Sequence, residues 1–144
     1  MSRFSISFYP ELPREIPDNS EILPAAVDWR RVLNRVTQQF DLEYIVNGRR
    51  VRYYPSPIIQ TVDDLISELQ QIRTRKSHTV LLSGYPVLDV MFEGDLVRFY
   101  YAHELAFQQR KPINGAIHAE EIERALQFSL RQVWSVVRAA ERAG

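Results

Sequence analysis

The chain has 144 residues, of which 45% are hydrophobic and 25% charged, ordinary values for a soluble globular protein. That length suits one domain over residues 1–144, with a core large enough to need neither metal nor disulfide. Net charge is zero, which argues against a nucleic-acid-binding domain, and the lack of cysteine excludes a disulfide framework, a thiolate nucleophile and a zinc–thiolate site.

Sixteen of the 18 basic residues are arginine, the cation favoured for bidentate carboxylate contacts and interfaces, although a GC-rich genome produces the same bias. The opening MSRFSISFYPELPREI has no apolar leader, and no apolar run approaches the roughly 18 residues a membrane helix needs. A cytoplasmic protein with no membrane partner is expected.

Phe4, Ile6 and Phe8 alternate with Ser5 and Ser7, the pattern of a half-buried strand on an edge or joining the main sheet. Pro10, Pro13, Pro17 and Pro24 then punctuate residues 10–24, which reads as an irregular proline-rich loop over the domain or as a partner-binding arm. From Ala25 to Phe40 the apolar positions Trp29, Val32, Leu33, Val36 and Phe40 predict an amphipathic helix, with Arg30, Arg31 and Arg35 on its solvated side.

Asn47-Gly48 between alternating apolar residues predicts a two-residue type I′ hairpin over 41–54. Its register sets Tyr44 opposite Val51 and Glu43 opposite Arg52 as a charge pair. Leu42, Tyr44, Val51 and Tyr53 then share one face, and Glu43, Ile45, Arg50, Arg52 and Tyr54 the other. A second helix starts near Thr61 as its N-cap, with Val62, Leu65, Ile66, Leu69 and Ile72 inward and a basic C-terminal cluster of Arg73, Arg75 and Lys76 that complements the helix dipole.

Residues 79–104 are the most strand-like stretch, a three-stranded meander with turn signals at Gly84-Tyr85-Pro86 and Glu93-Gly94-Asp95. Closing the second turn at Glu93-Gly94 sets Asp89 against Arg98; closing at Gly94-Asp95 gives a type II′-like turn. Either way Leu88, Val90, Phe92, Val97 and Phe99 line the core face. After a polar connector, a long helix from about His118 to Arg142 carries the stripe Ile122, Leu126, Leu130, Val133, Val137 and Ala140. The expected fold is α+β: an antiparallel sheet of five or six strands in the order β-α-ββ-α-βββ-α, with helices packed mainly on one face.

No phosphate loop, nucleophile elbow, HExxH, EF-hand loop or CxxC occurs, so no catalytic residue, metal or cofactor is expected. His103-Glu104 is the one place resembling an acid–base pair, but adjacent strand residues point to opposite faces. Tyrosines and arginines on strands have the composition of interface anchors, which places a protein-partner surface at Arg50, Arg52, Tyr54, Tyr85 and Glu93.

Size, missing cysteines, missing catalytic motifs and segments such as GYPVLDVMFEGDLVRFYY give the chain a general resemblance to the bacterial immunity proteins that guard against polymorphic or contact-delivered toxins. The resemblance implies a non-catalytic protein that neutralises a cognate toxin by occluding its active site, and it assigns no residue a role. Many immunity proteins against basic nucleases are acidic, and this chain is neutral, so a nuclease target is not indicated. The alternatives are a structural or adaptor subunit with the last helix as its oligomer seam, and a small enzyme using His103 and nearby carboxylates.

Overall fold

A computed structural model describes residues 3–14, 16, 29–35, 39–52, 56–82, 85–102, 113 and 115–143. It is an α+β fold, but the strands divide between two antiparallel sheets where one sheet of five or six strands is expected from the sequence. The first sheet has the order β1-β2-β3, from β1 (Phe4–Tyr9), β2 (Gln39–Val46) and β3 (Arg49–Arg52), with β4 (Ser56–Pro57) pairing with the start of β2. The second has the order β5-β6-β7-β8, from β5 (His78–Leu82), β6 (Tyr85–Glu93), β7 (Leu96–Tyr101) and β8 (Ile117–His118).

The β2–β3 hairpin has the register expected from Asn47-Gly48: Val46 faces Arg49, Tyr44 faces Val51 and Glu43 faces Arg52. Asn47 at φ 48° and Gly48 at φ 83° are the two left-handed positions a type I′ turn requires. A Cβ added at Gly48 would meet nothing within 4 Å, so substitution there costs backbone strain alone. Gly48→Val is expected to destabilise the protein by about 2 kcal/mol, since a left-handed L-residue costs roughly 1–2 kcal/mol and a β-branched one more. Gly48→Asn should cost much less. Urea unfolding checks both, and an unchanged midpoint for the valine variant would mean that the turn relaxes to another type.

Of the two turns open to the meander, the chain takes Gly94-Asp95. Glu93 pairs with Leu96, Gly94 lies at φ 60°, and Asp95 is not among the positive-φ residues, the pattern of a type II′ turn. Asp89 therefore faces Tyr100 rather than Arg98. It accepts a hydrogen bond from Thr79 Oγ1 at 2.7 Å, while Arg98 approaches Glu93 at 3.7 Å. Tyr85-Pro86, expected to turn, instead begins β6. Pro86 is tolerated because it pairs with Leu81 beside a bulge at Val80/Leu81 and lies beyond the last β7 pair, Leu88 with Tyr101.

Three helices pack with the sheets among the described residues. Among the described residues, α1 (Trp29–Leu33) is shorter than the helix expected over 25–40, and Phe40 belongs to β2, where it is buried beside Leu42 and Tyr44. Arg30, expected to face solvent, stacks over Trp29 at 4.6 Å and grips Asp63 through both guanidinium nitrogens, at 2.8 and 2.5 Å. This fork ties α1 to α2 (Ile58–Arg73). That second helix begins after Pro57, three residues before the expected cap, and the Thr61 hydroxyl donates back to the Pro57 carbonyl at 3.4 Å. At its other end Arg75 at φ 55° closes a Schellman-type turn, with the amides of Arg75 and Lys76 reaching the carbonyls of Ile72 and Gln71. The basic cluster there meets carboxylates: Arg73 pairs with Glu123, and Arg75 with Asp95 and more distantly with Glu123.

The apolar stripe of α3 (Ala119–Ala143), from Ile122 to Val137, is buried against the rest of the chain. It is therefore consumed by the protein's own core and does not present the oligomer seam envisaged for an adaptor. Buried side chains of both sheets and all three helices form one cluster. Its join between the sheets is aromatic: Phe4 on β1 meets Tyr44 edge-on at 5.3 Å and stacks on Phe99 of β7 at 5.6 Å. Among the described residues no helix is long and apolar enough to cross a membrane.

Candidate functional site

The register of the first sheet determines what its free edge presents. The amide of Asn47 donates to the Arg3 carbonyl at 2.7 Å, which points that carbonyl at β2. Antiparallel pairs alternate, so Ser5, Ser7 and Tyr9 spend their main-chain groups on β2, while those of Phe4, Ile6 and Phe8 point outward. Among the described residues no strand pairs with that outer side of β1. Phe4 and Phe8 are nearly inaccessible, at 2% and 4%, whereas Ile6 is half-buried, so Ile6 is where the edge is open.

A groove of about 690 Å³ runs along this edge, within the size range of ligand clefts. One wall is the outer face of the sheet, where Ser5, Ile45 and Arg50 form a single row across three strands. The opposite wall is α3, through Glu121, Ala125, Phe128 and Gln132, and the segment Glu11–Arg14 closes one end. Phe128 is an exposed aromatic ring there.

The groove is polar at its base and charged at its rim. Gln132 is 5% exposed, and its Nε2 donates to the Pro13 carbonyl at 3.1 Å, pinning the end segment to α3. Because that partner is a carbonyl, the amide orientation is fixed. Its Oε1 is left as a buried acceptor with no hydrogen-bond partner. Glu121 accepts the Arg3 amide at 2.6 Å. Among the described residues the exposed guanidiniums of Arg14, Arg50 and Arg124 hold Glu11, Glu43 and Glu120 respectively. Glu43 is buried and sits 3.4 Å from Arg50, two residues along β3 from its register partner Arg52, whose side chain is not among those described.

Of the five residues expected to bind a partner, Arg50 therefore lines the groove. Glu93 lies on the other sheet beside Arg98, exposed at the end of β6. Arg52 and Tyr85 have described backbones in β3 and β6 but no described side chains, and Tyr54 lies outside the described residues, as does His103. Asp89, Glu93 and Asp95 make three separate contacts, and no group of three metal-ligating side chains gathers among the described residues.

His78 is a polar centre that no local sequence pattern marks. Its Nδ1 lies 2.6 Å from the Lys76 carbonyl and its Nε2 lies 2.7 Å from Glu68 Oε1, with both side chains almost wholly buried. A ring protonated on both nitrogens would donate to both neighbours. Burial pushes its pKa down, but the hydrogen bond and charge of Glu68 outweigh burial, and the net shift is upward from 6.5. Neither nitrogen is open to a substrate. Comparison with protein-family models, curated proteins and solved structures returns no match to this chain.

Proposed function

We propose that this chain is a non-catalytic binding protein whose partner surface is the groove between β1 and α3. The single observation behind this reading is the convergence there of an open strand edge, an exposed aromatic ring, a rim of guanidiniums and a buried acceptor without a partner. Aromatic and arginine side chains are the usual anchors of protein interfaces. His78, the one histidine with a described charged partner, has both nitrogens occupied, which favours a structural over a catalytic role. The narrower reading is an immunity protein that neutralises a cognate bacterial toxin by covering its active site. It is supported by the general resemblance in size and composition.

Calorimetric titration against the product of the adjacent gene tests the proposal. Phe128→Asp is expected to weaken binding by about tenfold or more, equivalent to roughly 1.4 kcal/mol, and Arg50→Ala by a smaller factor. Thermal melting should survive in both, since each side chain is exposed. Wild-type affinity in both folded variants would remove the groove from the interface.

A further inference from the structure

A groove beside an open strand edge selects for one kind of occupant. The outward N–H and C=O of Ile6 need complementary groups spaced as a main chain spaces them, and an extended peptide supplies both in one residue. Gln132 Oε1 needs a donor, which a peptide N–H or a hydroxyl provides; left unpaired, a buried carbonyl of this kind costs about 1–3 kcal/mol. The apolar surface of Phe128 and Ala125 accepts a side chain that alternates with those pointing away.

Charge decides the sign of that peptide. Three guanidiniums line the groove, holding Glu11, Glu43 and Glu120, and Glu121 takes the Arg3 amide. The pairs Arg14–Glu11 and Arg124–Glu120 lie on the surface, where such contacts are worth at most about 1 kcal/mol and exchange readily for a carboxylate on a partner. A carboxylate on a partner can take the place of Glu11 or Glu120 on these guanidiniums, which suits acidic side chains to this rim.

We propose that the groove captures an extended acidic peptide segment of a partner protein, which pairs its backbone with Ile6 on the edge of β1 and donates a hydrogen bond to Gln132 Oε1. This rests on the binding reading above and names the form the partner takes. The outward direction of the Ile6 amide makes it separable from folding. Proline at position 6 removes a donor that β2 does not use, and edge strands tolerate proline there.

The test is a selection of displayed random octapeptides on the full-length chain, followed by fluorescence-anisotropy titration of the enriched peptides. Acidic sequences of alternating polarity should be enriched. Their affinity should fall about tenfold or more in Ile6→Pro and in Gln132→Leu, and should be unchanged in Met91→Ala, an exposed position on the other sheet. Should Ile6→Pro fail to melt cooperatively, amide exchange of Ile6 in the wild type serves instead, and it should slow when peptide is added. Enrichment of basic or helical sequences, no enrichment, or equal affinity across the folded variants overturns the strand-pairing proposal. The wider reading stands or falls separately, on Phe128→Asp and Arg50→Ala against the intact partner.

Discussion

Phe99→Ala is expected to destabilise the protein by about 3–5 kcal/mol, the usual cost of truncating a buried phenylalanine. Phe99 is 1% exposed and its ring stacks on Phe4, which in turn meets Tyr44, so the lost side chain is an aromatic contact between the two sheets. The cavity would open between elements held by separate ladders, where neither side can close it without shifting a whole sheet. At roughly 2–8 °C per kcal/mol for domains of about this size, the melting point should fall by about 10 °C or more. Phe99→Leu keeps most of the volume and should recover much of the loss. The Phe99 carbonyl still accepts the Ile113 amide in every variant, so the effect reports on the ring alone. A melting point within about 2 °C of wild type would show that the sheets are held together elsewhere.

The features legible in the sequence are those fixed over a few residues. Asn47-Gly48 has one favourable turn, so the register from Glu43 to Arg52 follows from it. The three-stranded order of the meander and the inward stripes of α2 and α3 follow from periodicities of two and 3.6. Phe40 shows where this reasoning fails. It completes the helical spacing from Trp29, yet it also begins the alternation Phe40, Leu42, Tyr44, Val46, and the second pattern wins: Phe40 pairs with Ser56 in the ladder and is buried in the core.

The division into two sheets depends on choices between strands far apart, such as β1 beside β2 rather than beside the meander, and no local pattern encodes them. The groove has the same origin. It exists because β1 lies against α3, more than a hundred residues away, and Gln132 differs from other polar residues of that helix only in this setting. Arg50 was found because the hairpin register put it on the outer face. His78 was missed because its partner Glu68 lies ten residues earlier, across the end of a helix and the start of a strand.

That pair gives the fold a pH dependence whose sign can be stated. The folded His78 pKa is raised above 6.5, since Glu68 outweighs the burial that would lower it; the Lys76 carbonyl adds to the rise and the Lys76 charge opposes it. A proton is therefore held more tightly by the folded chain. The stability it contributes is fully present below pH of about 6.5 and is lost as pH rises through the folded value. In Glu68→Gln the charge is gone while the shape is kept, so burial dominates and the His78 pKa should fall below 6.5. The variant should lose about 1.5–3 kcal/mol at pH near 5.5, the usual worth of a hydrogen bond to a charged group. As pH rises past the wild-type His78 value the two proteins should converge, because neutral His78 beside ionised Glu68 no longer favours the wild type. Urea unfolding of both proteins across pH of about 5.5–8.5 measures this directly, and the difference between them cancels every group the two chains titrate alike. Parallel stability curves would show that His78 holds its proton no more tightly in the folded chain.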